Sequence, residues 1–262
     1  MINVLYATLI VGAVGLVLGA VLSLASKFLY VEEDERIAKI TELLPGANCG
    51  GCGFAGCANY ADAIVTDGKP ANCCPSCSQE AVDKISEILG IETIVAEKKV
   101  AYVKCNGGNN YANKKYEYYG MNNCEAAARL LDGFIECKYG CLGFGNCVSV
   151  CPVNAISIID GVAVINEQTC IGCGNCVKTC PKSVISMIPA DSKVRIRCSN
   201  HDKGAVTKKN CVSGCLGCKI CEKTCEVGAV KVVDNVAVID FSICTQCGKC
   251  VEKCPKKIIK FN

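Results

Sequence analysis

The sequence is 262 residues long and contains 26 cysteines but a single histidine, His201. Secreted domains stapled by disulfides reach such a cysteine content only in much shorter chains, so thiolate-bound metal clusters are the better expectation. One histidine excludes the histidine sets of catalytic zinc, copper and non-haem iron sites and the histidine pair of a Rieske centre. The formal net charge of +3 gives no reason to expect nucleic acid as a partner.

The N-terminal segment from Ile2 to Ser26 contains no charged residue. As a helix it would extend roughly 37 Å, more than the roughly 30 Å hydrocarbon core of a bilayer, which predicts a transmembrane anchor within residues 1–30. A signal peptide would carry a basic residue before its apolar part, and this segment has none. Because Lys27, Arg36 and Lys39 follow the segment, we expect a single-pass protein of the cell membrane with its other domains on the cytoplasmic side.

A small cluster-binding domain is predicted over residues 31–78. Residues 31–44 place apolar side chains at helical spacing and therefore predict a short helix. The loop that follows is rich in glycine, and small residues let backbone N–H groups approach the sulfurs of a cluster. Its three cysteines are Cys49, Cys52 and Cys57. The spacing alone leaves the fourth ligand open among Cys73, Cys74 and Cys77.

Residues 79–123 are predicted to be a linker with an insertion. Their pattern indicates a helix over residues 79–90 and a short strand over residues 100–103. The polar, tyrosine-rich stretch 106–123 is expected to be an exposed hairpin, with a docking surface as the alternative.

The rest of the chain contains an internal repeat, in which nine cysteines recur 74 residues later without a gap. Nine matches at one offset predict a duplicated module, with copies over residues 124–190 and 191–262. The apolar segment 162–165 recurs as 236–239 and indicates a strand in each copy. The repeated cysteines are Cys124, Cys137, Cys141, Cys147, Cys151, Cys170, Cys173, Cys176 and Cys180, matched by Cys198, Cys211, Cys215, Cys221, Cys225, Cys244, Cys247, Cys250 and Cys254.

Each copy contains the run C-x2-C-x2-C-x3-C-P that is typical of bacterial two-cluster ferredoxins, at residues 170–181 and 244–255. In this arrangement the first three cysteines bind one cluster and the fourth binds the neighbouring cluster. The second copy is therefore predicted to hold two 4Fe-4S clusters. One ligand set is Cys215, Cys218, Cys221 and Cys254, and the other is Cys225, Cys244, Cys247 and Cys250.

The first copy departs from this pattern, because Phe144 stands where the second copy has Cys218. We expect Cys137 to replace the missing ligand, with Cys105 or Cys124 as alternatives. The predicted sets are Cys137, Cys141, Cys147 and Cys180, and Cys151, Cys170, Cys173 and Cys176. Six cysteines then remain, which are either buried reduced thiols or the source of a sixth cluster drawing on Cys105, Cys124, Cys198 and Cys211.

An apolar N-terminal helix, a C-x2-C-x4-C-x16-C motif and ferredoxin runs together resemble the B subunit of the Rnf complex, the ion-translocating ferredoxin:NAD oxidoreductase. The duplicated module is similar to the longer clostridial form. The resemblance covers nearly the whole chain, and its x16 spacing selects Cys74 as partner of Cys49, Cys52 and Cys57. It implies an electron-transfer subunit that accepts electrons from reduced ferredoxin and passes them to other subunits of the membrane complex. Flavin, NAD and ion chemistry would then belong to those subunits.

The predicted fold is thus α+β, with a transmembrane helix, a small 4Fe-4S domain and two tandem ferredoxin-like modules that carry at least five clusters. The alternative function is a catalytic or maturation subunit of an anaerobic redox enzyme. Residues 191–262 contain 14 basic and 7 acidic residues, which suggests that ferredoxin docks on the second copy. The lysines around its last cysteine run are Lys253, Lys256, Lys257 and Lys260. An ordinary solvated face is the simpler explanation of these lysines.

Overall fold

The computed structural model describes residues 2–28, 34–92 and 98–261. Parts of the predicted anchor, the short helix after it and the linker fall on residues 29–33 and 93–97, which lie outside the described residues. The helices are α1 (Ile2–Phe28), α2 (Glu35–Leu43), α3 (Cys57–Thr66), α4 (Gln79–Leu89), α5 (Gly108–Tyr111), α6 (Cys124–Arg129), α7 (Asn146–Ser149), α8 (Asn175–Thr179), α9 (Gly204–Asn210), α10 (Ile220–Thr224) and α11 (Lys249–Lys253). The strands are β1 (Lys99–Val103), β2 (Ile156–Ile159), β3 (Val162–Ile165), β4 (Ile185–Pro189), β5 (Val194–Ile196), β6 (Val230–Val233), β7 (Val236–Ile239) and β8 (Ile259–Phe261).

The N-terminal helix α1 leaves its large apolar side chains exposed from Leu9 to Leu24. Among the residues that the structure describes, no helix was found that combines the length and the apolarity of a membrane span.

The N-terminal cluster domain consists of α2, α3 and α4 packed around one apolar core. Ile40, Tyr60 and Ile85 are almost completely buried there and come from the three different helices. Local signals set the helix ends: the Ser78 hydroxyl accepts a hydrogen bond from the Ala81 N–H at the start of α4, and Gly90 adopts the left-handed conformation after its end.

The first ferredoxin-like module combines a hairpin with a second pair of strands. Strands β2 and β3 form the hairpin, and β1 pairs with β4 in an antiparallel register that sets Val103 opposite Ile185. Strand β1 lies within the predicted linker, yet its buried residues belong to the core of this module. The module therefore begins before residue 124.

The second module repeats this arrangement. Strands β6 and β7 form its hairpin, and β5 pairs with β8 so that Ile196 lies opposite Ile259. Its core contains Val230, Val236 and Ile258, and cysteines line the edge of that core. Two similar α+β modules thus follow the helical N-terminal domain, as the repeat predicts.

The segment after β1 connects the two modules instead of forming an isolated hairpin. The Asn106 side chain donates a hydrogen bond to the Ser213 hydroxyl at 2.8 Å, and the Asn113 side chain donates one to the Lys209 carbonyl at 2.7 Å. Ala112 also forms a β-bridge with Cys211. Exposed residues begin at Asn109, and Tyr119 is 94% exposed.

Candidate metal centres

The second module brings its predicted cysteine sets together. The first set lines a cavity of about 340 Å³ next to Ile258 and Ile259. Helix α10 carries Cys221, whose pKa is raised to about 11 by burial and then by the nearby Cys215 thiolate. The cysteines that line this cavity are Cys215, Cys218, Cys221 and Cys254.

The second set of this module surrounds helix α11. Burial raises the pKa of Cys250 to about 11, and the neighbouring thiolates of Cys244, Cys225 and Cys247 raise it further. These are the four cysteines that the interlocked ferredoxin spacing predicts for one site.

The first module brings together the matching set around helix α8. Burial raises the pKa of Cys176 to about 11, and the thiolates of Cys170, Cys173 and Cys151 add to the rise. The Cys151 sulfur also accepts a hydrogen bond from the Ala155 N–H at 3.3 Å. Such N–H groups tune the potential of a cluster bound to the sulfur.

The other site of the first module differs from the sequence prediction. Its cavity of about 360 Å³ is lined by Cys124, Cys141, Cys147 and Cys180, whereas Cys137 lies elsewhere. Burial raises the pKa of Cys147 to about 12, and the thiolates of Cys141, Cys124 and Cys180 contribute. Cys137, which the sequence analysis expects in this set, is therefore not found here, and Cys124, one of the alternatives left open, lies in its place.

A hydrogen bond explains the position of Cys124. Its N–H donates to the Asn146 side-chain oxygen at 2.8 Å, which holds the start of α6 against the start of α7, beside Cys147. Phe144 packs against Tyr118 and Phe134 and does not replace a ligand.

The second module is closely packed at the start of α9. There Gly204 lies against Leu216, the repeat partner of Leu142, and a Cβ at Gly204 would come within 2.5 Å of the Leu216 carbonyl oxygen. The second module instead has Cys218 at its own cavity. The fourth cysteine of this site thus comes from different positions in the two modules: it is Cys124 in the first module and Cys218 in the second.

The N-terminal domain gathers its cysteines at the start of α3. The Asn48 side chain accepts a hydrogen bond from the Cys57 N–H at 2.8 Å and closes the glycine-rich loop. Cys74 is buried, and its pKa is raised by burial and by the nearby Cys52 and Cys49 thiolates. Cys77 lies beside Cys74 and Cys57, whereas Cys73 is exposed.

These sites suit 4Fe-4S clusters chemically. The donors are thiols, burial raises the pKa of many of them, and iron binding would release their protons because the thiolate is the ligand. Within the described ranges, no three or more acidic, histidine or cysteine side chains are arranged to hold a single metal ion. In a 4Fe-4S cubane each cysteine sulfur binds a different iron. The four sulfurs therefore lie farther apart than four sulfurs bound to a single metal ion.

Protein-family comparisons agree with this chemistry. A family of Fe-S cluster sequences matches residues 44–76. One family described as a 4Fe-4S dicluster domain matches residues 135–184 and 169–229, and a second family with that description matches residues 214–259. The fold and sites therefore define an iron-sulfur protein built from a small cluster domain and dicluster ferredoxin modules.

Curated relatives identify the particular family. The chain is 44% identical over 252 residues to the B subunit of the ion-translocating oxidoreductase complex of Methanosarcina acetivorans, which covers 96% of both chains. It is 43% identical over 251 residues to the B subunit of the proton-translocating ferredoxin:NAD(+) oxidoreductase complex of Clostridium ljungdahlii, covering 94% of this chain and 88% of the relative. It is 40% identical over 251 residues to the B subunit of the Na(+)-translocating ferredoxin:NAD(+) oxidoreductase complex of Acetobacterium woodii, covering 95% and 75%. The chain belongs to this family of B subunits, so the resemblance to Rnf subunits is confirmed.

Proposed function

We propose that this chain is the subunit that accepts electrons from reduced ferredoxin at its second module and passes them through at least five 4Fe-4S clusters to the other subunits. Membership of the family makes it an electron-transfer subunit of an ion-translocating ferredoxin:NAD oxidoreductase complex. A bound 4Fe-4S cluster supplies transfer of single electrons without a change in covalent bonds. The chain's own residues provide the thiolates, exclude water and donate N–H groups to the sulfurs.

The positions of the cysteines support a proposal of five ligand sets. The N-terminal set keeps Cys74 because Cys74 is buried beside Cys52 and Cys49. The proposed sets are Cys49, Cys52, Cys57 and Cys74; Cys151, Cys170, Cys173 and Cys176; Cys124, Cys141, Cys147 and Cys180; Cys215, Cys218, Cys221 and Cys254; and Cys225, Cys244, Cys247 and Cys250.

The observation that carries the proposed relay is the contact between the N-terminal domain and the first module. A Cβ at Gly51 would lie 3.0 Å from the Cα of Cys173, and the Asn175 side chain donates a hydrogen bond to the Cys49 carbonyl at 3.0 Å. The Ser76 hydroxyl donates a further bond to the Ile171 carbonyl at 3.2 Å. Cysteines of two different sites therefore face each other across this contact.

A comparison of equivalent cysteines in the two modules supports the second module as the place where electrons arrive. Cys247 is the repeat partner of Cys173 and is exposed in the part of the chain that the structure describes, whereas Cys173 is only partly exposed beside the N-terminal domain. Lys253 and Lys257, which flank Cys254 of the same module, are exposed. A positive surface beside an exposed cluster ligand would attract an acidic carrier such as ferredoxin.

The N-terminal helix is proposed to anchor the chain in the cell membrane as a single span, with the cluster domains on the cytoplasmic side. The charge-free sequence runs from Ile2 to Ser26, and basic residues follow it but do not precede it. The exposed apolar side chains of α1 would contact lipid or a neighbouring helix.

Deletion of residues 1–30 tests this role. The truncated protein should stay in the soluble fraction, keep its clusters and still be reduced by ferredoxin, because the ligands all lie after residue 48. A complex assembled with the truncated chain should lose ferredoxin-dependent NAD reduction. Membrane fractionation and NADH formation measure the two effects, and full NADH formation by the complex with the truncated chain would contradict the proposed anchor.

A further inference from the structure

A further cysteine-lined cavity lies between the two ferredoxin-like modules. The empty space at this site, open solvent included, is about 390 Å³, similar to the spaces of about 340 and about 360 Å³ at the ferredoxin sites. Four cysteines outside the five sets above line this cavity, and all are at most 9% exposed: Cys105, Cys137, Cys198 and Cys211.

The thiols of this cavity lie close to one another. Burial raises the pKa of Cys137 to about 11, and the Cys105 and Cys211 thiolates raise it further. Burial likewise raises the pKa of Cys198 to about 12, with a smaller contribution from Cys137. Cys211 in turn is affected by Cys105 and Cys198. Each cysteine therefore neighbours at least two of the others.

The four cysteines form two structurally equivalent pairs, one from each module. Cys105 follows β1 and its sulfur accepts a hydrogen bond from the Cys141 N–H at 3.5 Å. Cys198 follows β5 and its sulfur accepts the corresponding bond from the Cys215 N–H at 3.3 Å. The structural counterpart of Cys198 is therefore Cys105. The 74-residue offset of the sequence repeat would pair Cys198 with Cys124, but the two do not occupy equivalent positions.

Cys137 and Cys211 form the second equivalent pair. The turn after each is closed by the same hydrogen bond, from Gly140 N–H to the Cys137 carbonyl at 3.1 Å and from Gly214 N–H to the Cys211 carbonyl at 3.3 Å. Two copies of one module thus present the same two thiols to a shared cavity, as a pseudo-symmetric site requires.

The surroundings of the cavity resemble those of a cluster site. The Gly107 N–H donates to the Cys105 sulfur at 3.4 Å, and the Asn200 side-chain nitrogen donates to the Cys137 sulfur at 3.4 Å. A Cβ at Gly107 would lie 3.4 Å from the Cys105 sulfur. Small residues and N–H donors around sulfur stabilise thiolates that bind iron.

We propose that Cys105, Cys137, Cys198 and Cys211 bind a sixth 4Fe-4S cluster shared by the two modules. Among the described residues no three or more such side chains are arranged to hold a single metal ion, so a zinc ion, which four thiolates would bind at about 2.3 Å, is not the group that this arrangement favours. The neighbours of the site define its role: Cys105 is bonded to the backbone of Cys141, and Cys198 to that of Cys215. The site therefore lies between the nearest sites of the two modules.

The role of this site in electron transfer rests on the proposed function, whereas its occupancy does not. In the relay a low-potential one-electron donor reduces the second module. A cluster held by these four cysteines would accept one electron as the donor cluster is reoxidised and would supply it to the first module, with no proton or bond change.

Iron, sulfide and zinc contents of the full-length protein, purified without oxygen and reconstituted with excess iron and sulfide, test the site. We expect about 24 irons and no zinc for the wild type, because each cubane holds four irons. Cys211→Ala should lose about four irons, whereas the exposed Cys73→Ala, prepared in parallel, should lose none.

Double variants keep the test independent of general instability. Cys105→Ala combined with Cys211→Ala should lose about four irons, as either single change does, because both ligands belong to one cluster. Cys124→Ala combined with Cys211→Ala should lose about eight, because these ligands belong to two clusters.

Equal iron contents of Cys211→Ala and Cys73→Ala would overturn the proposal, as would one zinc ion that disappears in Cys211→Ala. Additive losses in the Cys105→Ala and Cys211→Ala pair would also overturn it. A protein with about 24 irons that ferredoxin cannot reduce would contradict the proposed function but leave the sixth site in place.

Discussion

Replacing Lys253 and Lys257 with glutamate should slow the reduction of this protein by an acidic ferredoxin about tenfold to a hundredfold at low ionic strength, because electrostatic steering accelerates association by such factors. Both side chains are exposed near the second module's cysteines, whereas Lys256 partly lines a cysteine cavity and is left unchanged. Stopped-flow absorbance of the clusters after mixing with reduced ferredoxin measures the rate.

The matched control is Lys208→Glu with Lys209→Glu, which changes the charge of the same module equally on the exposed end of α9. This control should be reduced at nearly the wild-type rate. The difference between the two variants should shrink as salt is added, because the Debye length falls to roughly 3 Å at 1 M. Equal rates for both variants at low salt would reject this docking surface and direct attention to Lys114 and Lys115.

Replacing Gly51 with leucine should strongly slow electron transfer between the first module and the N-terminal domain, measured in protein that still carries its full iron content. A Cβ at this position would lie 3.0 Å from the Cys173 backbone and 3.1 Å from the Pro75 ring, and the larger leucine side chain needs still more space, so we expect it to push the two domains apart. Separation increases the distance between the clusters on either side. Freeze-quench EPR, which follows the appearance of reduced clusters with time, should show the last cluster reduced much later than in the wild type.

Ala58→Leu is the control for this variant, because it adds the same side chain at an exposed position of α3. It should behave like the wild type. Unchanged kinetics in Gly51→Leu, with a full iron content, would show that electrons do not pass through the contact between Gly51 and Cys173.

Cysteine spacing predicts most of the cysteine groups in this protein, because spacing is a short-range property of the sequence. The ferredoxin run fixes which cysteines share a helix or a turn, and the structure brings Cys170, Cys173 and Cys176 together with Cys151 as expected. The strands of each hairpin also depend on short-range sequence, because strands 162–165 and 236–239 each pair with the strand just before them in the chain. The α+β character of both modules follows from these local patterns.

Spacing cannot place Cys124 and Cys137 because both depend on contacts distant in sequence. Cys124 is positioned by a hydrogen bond to Asn146, and Cys137 faces the other module, where Asn200 donates to its sulfur. The segment between Cys105 and Cys124 has no counterpart of equal length in the second module, so the constant repeat offset hides the equivalence of Cys105 and Cys198. The similar stretches Val103-Lys-Cys105 and Ile196-Arg-Cys198 are the signal in the sequence that reveals it.

Strand β1 shows the same limit. Its apolar residues predict a strand, but its partner β4 lies more than 80 residues later, and no local pattern identifies that pairing. Local patterns therefore place the linker boundary at residue 124, although the module begins with β1.

The most direct test of the electron-transfer role is rapid mixing of the full-length, iron-loaded protein with reduced ferredoxin, followed by addition of the remaining subunits of the complex. We expect bleaching of the cluster absorbance as the clusters are reduced, then recovery of that absorbance when the partner subunits accept the electrons. A fully loaded protein that ferredoxin does not reduce, or that stays reduced in the presence of active partner subunits, would contradict a role as the electron-transfer subunit.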